Sequence, residues 1–210
     1  MKVISVITAL VILFSCTTQK KAGSGGWVEL FDGKSLSGWS VGENANSFSV
    51  QNGAIVANGE VAHLFYSGDV QQHNFKDFEF SAEVMTTPGS NSGIYFHTQY
   101  QESSWPAKGY EVQVNNSQSD WRRTGSLYSI DDVKEVYVKD NEWYTESITV
   151  KGKQVTIKIN DKVVVNYTEP EGVQREKGNE GRVISSGTFA LQAHDPNSKV
   201  YFRNIRVKAL

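Results

Sequence analysis

The chain has 210 residues, and its 21 basic and 23 acidic residues give a formal net charge of −2. A nearly neutral chain with interspersed charges argues against nucleic acid as a partner. The single cysteine excludes an intramolecular disulfide, so the fold must be stabilised by a hydrophobic core, for which the length is sufficient.

The N-terminus predicts export and lipidation. An apolar stretch over residues 3–14 is well short of the roughly 20 residues that cross a bilayer, so a signal peptide over 1–15 is favoured over a permanent membrane helix. Ser15 and Cys16 resemble a bacterial lipobox, in which the cysteine becomes the lipidated first residue of the mature protein. The alternative is an ordinary secretory leader with a chance cysteine.

Residues 16–26 are small and polar and lack apolar periodicity, which is typical of a flexible tether. The expected product is a lipid-anchored protein of the cell envelope, on the periplasmic side in preference to the cell surface. The membrane is then a partner only through the lipid.

Residues 27–210 predict one all-β domain, because short segments with period-two alternation recur between turn signals. Residues 78–84 alternate cleanly, and residues 147–167 are typical of a three-stranded meander. Two more strands are expected over 189–193 and 200–207. About a dozen strands in this length predict two packed sheets.

Three predicted strands, over 93–99, 110–115 and 189–194, turn polar side chains away from the core. In each, alternate apolar residues such as Val112 and Val114 claim the core face. If the three strands are neighbours, we expect a solvated polar trough that suits a sugar. Its side chains would be Tyr95, His97, Glu111, Gln113, Gln192 and His194. A solvated strand residue remains the alternative for Glu111, as does a structural role for each histidine taken singly.

Long loops over 101–108, 116–123 and 169–186 exceed what connection requires. The first two carry Trp105 and Trp121, which can stack on sugar rings or pack the loops themselves. The sequence has no Gly-rich phosphate loop, no Ser-His-Asp order and no zinc-type ligand spacing, so those chemistries are set aside.

Five segments together resemble the bacterial 3-keto-glycoside hydrolases, also called 3-keto-alpha-glucoside-1,2-lyase/3-keto-2-hydroxy-glucal hydratase domains. The resemblance covers nearly the whole domain and implies a two-sheet jelly-roll sandwich of the concanavalin A-like and laminin G-like type. The segments are LFDGKSLSGW at 30–39, NSGIYF at 91–96, GYEVQV at 109–114, TGSLY at 124–128 and FRNI at 202–205.

The resemblance implies a reaction on a glycoside that a separate dehydrogenase has already oxidised at C3. A base removes the acidified C2 proton, the C1 aglycone leaves by β-elimination, and water adds to the resulting 2-hydroxy-glycal. Ordinary glycosidases instead use paired carboxylates and an oxocarbenium-like transition state. The alternative function is a non-catalytic carbohydrate-binding lipoprotein of the same fold.

Within this reaction, Glu111 is expected to be the base or a ligand of a divalent metal, and His194 its acid/base partner or a second metal ligand. No cofactor is certain. The residues expected to bind substrate are His97, Tyr95, Gln113, Gln192, Trp105, Trp121 and Tyr128. Arg203 and Asn204 match the terminal motif, where pinning the last strand is an equal alternative. Tyr144 and Asp195 depart from the family pattern and put substrate preference in doubt.

Overall fold

The computed structural model describes residues 26–210, so the predicted leader, Cys16 and the tether up to residue 25 lie outside the described residues. The described chain is built of short strands with two 3₁₀ turns, Ala45–Ser47 and Val70–His73. The strands are β1 (Val28–Glu29), β2 (Trp39–Val41), β3 (Phe48–Gln51), β4 (Ala54–Ala57), β5 (Ala62–Tyr66), β6 (Phe78–Thr86), β7 (Ser92–Thr98), β8 (Tyr110–Val114), β9 (Tyr144–Lys151), β10 (Gln154–Ile159), β11 (Lys162–Thr168), β12 (Thr188–Ala193) and β13 (Val200–Ala209). Residues 26–210 contain no helix with the length and apolarity needed to cross a membrane.

The strands form two antiparallel sheets, which confirms the predicted all-β sandwich. The larger sheet has the order β11-β10-β9-β6-β13-β4-β3, with β1 paired to β13. The smaller sheet has the order β2-β5-β12-β7-β8. The predicted meander is also confirmed, since β9, β10 and β11 are consecutive neighbours in the larger sheet.

The core lies between the two sheets and is rich in phenylalanine. Phe78 and Phe80 of β6 point inward with no exposed surface, while Glu79 between them faces outward. Phe189 of β12 joins the sheets, with its ring centroid 4.9 Å from that of Phe78 and 4.7 Å from that of Phe80. Burying each such side chain stabilises the folded state by roughly 1.5–3 kcal/mol. This contact therefore helps to hold the smaller sheet against the larger one.

The pairing of β7 with β12 contains a bulge, and the bulge moves His97. The register shifts between the pairs Thr188–Thr98 and Ala190–Tyr95, which leaves one extra residue in β7. His97 takes it up with a φ of 55°, in the left-handed region. A bulge breaks the alternation of side chains, so His97 turns to the buried side, where its Nε2 donates to the Lys76 carbonyl at 2.8 Å. The expectation that His97 shares a face with Glu111 is wrong.

The terminal motif pins the last strand. Nε of Arg203 donates to Glu83 of β6 at 2.7 Å, and Nδ2 of Asn204 donates to the same carboxylate at 2.8 Å. These contacts lie in the larger sheet, whereas the three polar strands belong to the smaller one. The alternative role of Arg203 and Asn204, pinning the last strand, therefore accounts for both residues.

Candidate active site

The three polar strands lie side by side in the smaller sheet, in the order β12, β7, β8, as the trough requires. Tyr95 of β7 pairs with Glu111 of β8 on one side and with Ala190 of β12 on the other. Their polar face forms the floor of a pocket of about 330 Å³, within the usual range for small-molecule sites. The predicted residues that line it are Tyr95, Trp105, Glu111, Gln113, Tyr128, Gln192 and His194.

Glu111 lies at the floor of this pocket with only 7% of its surface exposed, so the alternative of a solvated strand residue does not hold. Its Oε1 accepts a hydrogen bond of 3.0 Å from Nε2 of Gln192. The Tyr95 hydroxyl is a second donor to the carboxylate. Gly93 provides the necessary space, because a Cβ at that position would lie 2.6 Å from Oε1 of Glu111.

Burial raises the pKa of Glu111, because desolvation penalises the charged carboxylate. Hydrogen bonds from Tyr95 and Gln192, together with the positive charge of Arg182, oppose this effect without cancelling it. Burial and the neighbouring carboxylate also raise the pKa of the Tyr95 hydroxyl well above its ordinary value, so Tyr95 remains a donor. A carboxyl group with a raised pKa in a pocket is suited to act as a general base near neutral pH.

Gln113 and Gln192 each present a carbonyl oxygen without a partner. Nε2 of Gln113 donates to Oδ1 of Asn91 at 2.8 Å, and Nε2 of Gln192 donates to both Glu111 and the Tyr95 hydroxyl. Both Oε1 atoms are buried and have no hydrogen-bond partner within residues 26–210. An unsatisfied buried acceptor costs roughly 1–3 kcal/mol of stability.

His194 follows β12 directly and lines the same pocket. Its Nδ1 lies 2.8 Å from Oδ2 of Asp195, and the Ser198 hydroxyl donates to that oxygen at 2.8 Å. Burial opposes ionisation of Asp195, but these hydrogen bonds outweigh it and hold the pKa of Asp195 below its ordinary value. Asp195, a departure from the family pattern, therefore fixes the His194 ring and leaves Nε2 for a ligand.

His63 of β5 adjoins the pocket, although no role was expected for it. It pairs with Gln192, and its ring centroid lies 5.3 Å from that of Tyr95 and 5.5 Å from that of Trp105. Burial, with the charge of nearby His194 second, lowers the pKa of His63 to about 4. His63 is therefore neutral at pH 7. Its ring packs against the Trp105 ring, and 46% of the Trp105 surface remains exposed.

Two of the predicted loops, 101–108 and 169–186, pack against each other and both line the pocket. The first contributes Trp105 and the second Arg182. Their contact is tight at Gly181, where a Cβ would lie 1.9 Å from the Ala107 carbonyl oxygen. The side chains that complete the pocket are thus held by contacts between loops, which strand periodicity does not predict.

Arg182 is fixed beside Tyr128. Its Nη1 donates a hydrogen bond to the Tyr128 carbonyl oxygen, and its guanidinium lies 5.0 Å from the centroid of the Tyr128 ring. Nε of Arg175 in turn donates to the Arg182 carbonyl at 2.8 Å. Arg182 is the only lysine or arginine among the lining residues that the described chain contributes to the pocket.

Trp121 does not line the pocket, although it was expected to bind substrate. Its ring is covered by the guanidinium of Arg122 at 4.8 Å and by the ammonium group of Lys134 at 5.3 Å. His97 is excluded by the bulge in β7, and its Nδ1 accepts a hydrogen bond of 3.2 Å from the Ser185 backbone. Both residues hold loops in place, and neither contacts the pocket.

A divalent metal held by Glu111 and His194 does not fit the arrangement. Within the described range 26–210, no group of three or more His, Cys, Asp or Glu side chains is placed to hold a metal ion. Gln192 already donates to the Glu111 carboxylate. The chemistry below is therefore derived from the side chains alone.

Comparison with known proteins shows the family of the chain. A family model described as a 3-keto-alpha-glucoside-1,2-lyase-like domain matches residues 26–208. A curated relative, the 3-keto-disaccharide hydrolase of Bacteroides thetaiotaomicron, is 26% identical over 276 aligned positions, which cover 95% of this chain and 94% of the relative.

Solved structures establish the fold type. A candidate glycosyl hydrolase from Parabacteroides distasonis ATCC 8503 matches with a TM-score of 0.74 at 23% identity, covering 88% of this chain and 94% of that one. The carbohydrate-binding module CBM66 from Bacillus subtilis matches with a TM-score of 0.59 at 14% identity, covering 82% of this chain and 96% of that one. The predicted jelly-roll, concanavalin A-like sandwich is confirmed.

Proposed function

Because the chain belongs to the 3-keto-alpha-glucoside-1,2-lyase-like domain family, we propose that it cleaves 3-keto-glycosides by elimination followed by hydration. The observation that carries this proposal is the Glu111 carboxyl group, which is buried at the pocket floor beside the His194–Asp195 pair. Its raised pKa suits a base that removes a carbon-bound proton acidified by a neighbouring carbonyl.

In the elimination, Glu111 takes the C2 proton, and the electron pair of the C2–H bond moves towards the C3 carbonyl to give an enolate. When the carbonyl re-forms, a double bond forms between C1 and C2 and the bond from C1 to the aglycone oxygen breaks. His194 supplies the proton to that oxygen, and its hydrogen bond with Asp195 holds the ring in place. The product is a 2-hydroxy-glycal with a 3-keto group.

In the hydration, His194 takes a proton from water as the water oxygen bonds to C1, and the proton held by Glu111 returns to C2, which releases the 3-keto sugar and restores both residues. Neither half of the reaction requires a net oxidation or reduction. The chain therefore depends on a separate dehydrogenase reaction to oxidise the glycoside at C3. This upstream reaction is the partner that we propose for it.

The polar side chains of Gln113 and Gln192, which line the pocket, suit the hydroxyl groups of a sugar ring. The half-exposed Trp105 ring offers an aromatic face to the apolar face of a sugar or to the aglycone. A pocket of about 330 Å³ has room for one sugar ring and part of its substituent. These contacts leave the linkage partner outside the deepest part of the pocket.

The test is Glu111→Gln, assayed by aglycone release from a 3-keto-glucoside. The amide keeps the size of the side chain but cannot accept the C2 proton, so turnover should fall by about 10²–10⁴-fold. Because the substitution removes a desolvated charge, the melting temperature should not fall. Glu79→Gln, which changes a carboxylate on the outer face of β6, is the matched control and should retain full activity. A folded Glu111→Gln protein with full turnover would contradict the assignment.

The alternative is a domain that binds carbohydrate without converting it, an interpretation that the exposed Trp105 ring favours. The same assay distinguishes the two functions when the unoxidised parent glucoside is included. Binding of either sugar with no aglycone release would favour adhesion. Release from the 3-keto sugar alone would favour the enzyme.

We further propose that the chain is exported and lipidated at Cys16, on the periplasmic side of the cell envelope. The support is the leader and lipobox pattern in the sequence. A 3-keto-glycoside that is produced outside the cytoplasm would then meet the enzyme there.

A further inference from the structure

The charge balance of the pocket points to a residue beyond the base and the acid. Removal of the C2 proton transfers negative charge from Glu111 to the C3 oxygen of the substrate. A fixed donor or cation stabilises such developing charge, and groups of this kind commonly contribute about 10²–10³-fold to a rate. Apart from two tyrosines, the described lining contains four ionisable side chains: Glu111, Asp120, Arg182 and His194.

Each of these groups other than Arg182 is unsuited to the task. Glu111 and Asp120 are acids, and a second negative charge would oppose the enolate. His194 is engaged by Asp195 and is needed where the aglycone leaves. Arg182 carries a permanent positive charge that acts on both Glu111 and Tyr95, on the floor of the pocket.

Arg182 is also held in place before any substrate binds. Its Nη1 is anchored on the Tyr128 carbonyl oxygen. Its backbone is fixed on both sides, by the Arg175 hydrogen bond to its carbonyl and by the 2.9 Å hydrogen bond from Gly109 to the Gly181 carbonyl. A cation fixed in advance stabilises developing charge without the cost of reorganisation.

Resting on the proposed function, we infer that Arg182 is a catalytic residue that stabilises the enolate oxygen at C3 of the 3-keto sugar. In this role the guanidinium donates a hydrogen bond to the C3 oxygen, and the proton removed from C2 passes to Glu111. The interaction strengthens as charge moves to that oxygen. Arg182 therefore acts on proton abstraction and not on departure of the aglycone.

The experiment separates these two steps with a second substrate, 3-keto-1,5-anhydroglucitol, which has no leaving group at C1. Exchange of its C2 proton in deuterium oxide reports enolate formation alone. For Arg182→Gln we expect both this exchange and the cleavage of a 3-keto-glucoside to lose about 10²–10³-fold in kcat, with KM changed less than about threefold. Arg182→Lys, which keeps the charge, should recover at least about tenfold of the loss.

Arg122→Gln is the matched control, because Arg122 also lies beside the Tyr128 ring, at 4.7 Å, but does not line the pocket. It should keep kcat within about threefold of the unmodified protein. The inference is overturned if Arg182→Gln raises KM without lowering kcat, or if it lowers the rate of cleavage while C2 exchange persists. It is also overturned if Arg182→Lys is as impaired as Arg182→Gln and melts at a lower temperature than the unmodified protein. If the unmodified protein shows neither exchange nor cleavage, the proposed function fails first and the inference fails with it.

Discussion

The ionisation of Glu111 is set by two opposing influences, burial and a small set of donors. Burial raises the pKa of this carboxyl group, whereas the Tyr95 hydroxyl and the Gln192 amide favour its charged form. A base acts only when deprotonated, so kcat/KM should fall as the pH drops through this raised pKa. The acid limb of the pH profile therefore lies above the range of an ordinary carboxylate.

Tyr95→Phe tests which influence controls that limb. The substitution removes a hydrogen bond to the charged form of Glu111, so the pKa of Glu111 should rise further and the acid limb should move to higher pH. The loss of activity should be larger at low pH than at high pH, which a pH series of kcat/KM would reveal. Tyr100→Phe, in an exposed side chain outside the pocket lining, should leave the limb unmoved. A limb that moves to lower pH in Tyr95→Phe would contradict this account.

The strands supply most of what the sequence could predict about the site. Successive side chains of a strand point to opposite faces of the sheet. Because Tyr95, Glu111 and Gln192 each alternate with core residues, the sequence predicted that all three lie on the face away from the core. The same rule failed at His97, where a bulge shifts the alternation by one residue. A bulge in β7 depends on its pairing with β12, so the local sequence alone does not reveal it.

Loop residues were beyond prediction for a different reason. Arg182 reaches the pocket through contacts between two loops that are about 75 residues apart in sequence, and no periodicity encodes such contacts. His63 is an intermediate case. Leu64 and Tyr66 claim the core, so alternation in β5 places His63 on the pocket face, but only the pairing of β5 with β12 brings it beside Gln192.

Strand β9 contains a buried acid, Glu146, that we expect to lower the stability of the fold. Its inward face continues from Tyr144 through Glu146 to Ile148, and Glu146 is completely buried with neither carboxylate oxygen partnered within residues 26–210. Burial raises the pKa of Glu146 well above its ordinary value. In the unfolded chain the group ionises near pH 4.3, whereas in the folded chain it stays protonated to a higher pH.

This difference predicts that stability is highest below the unfolded pKa of Glu146 and is lost as the pH rises towards the folded pKa. Replacing Glu146 with leucine, which has a similar volume, removes the buried acid and should raise the free energy of unfolding at pH 8 by about 1–3 kcal/mol. The gain should be smaller at pH 5. Urea unfolding at both pH values measures it.

Glu142→Leu is the control for this substitution, since Glu142 is exposed just before β9. It should change the free energy of unfolding by no more than about 0.5 kcal/mol at either pH. A Glu146→Leu protein that is less stable than the unmodified one at pH 8 would mean that the carboxyl group has a partner in solution. The cost assigned to its burial would then be wrong.

At the scale of the whole molecule, the two sheets have separate tasks. The larger sheet supplies most of the strands and carries the pinned β13, while the smaller sheet holds the side chains proposed for catalysis on its outer face. The pocket is completed by loops on that same face, so the proposed chemistry should not depend on the proposed lipid anchor. Anchoring and catalysis should therefore be separable.

Cys16→Ala tests this separation. An acyl chain contributes about 0.8 kcal/mol per buried CH₂, so a lipidated protein should sediment with membranes, whereas the Cys16→Ala protein should be soluble and lack lipid by mass spectrometry. Aglycone release per folded molecule should be the same for both. The double variant Lys20→Ser with Lys21→Ser is the control, because cationic residues near an anionic surface attract by about 1 kcal/mol each. It should stay with the membrane, and a Cys16→Ala protein that remained acylated and membrane-bound would refute lipidation at this cysteine.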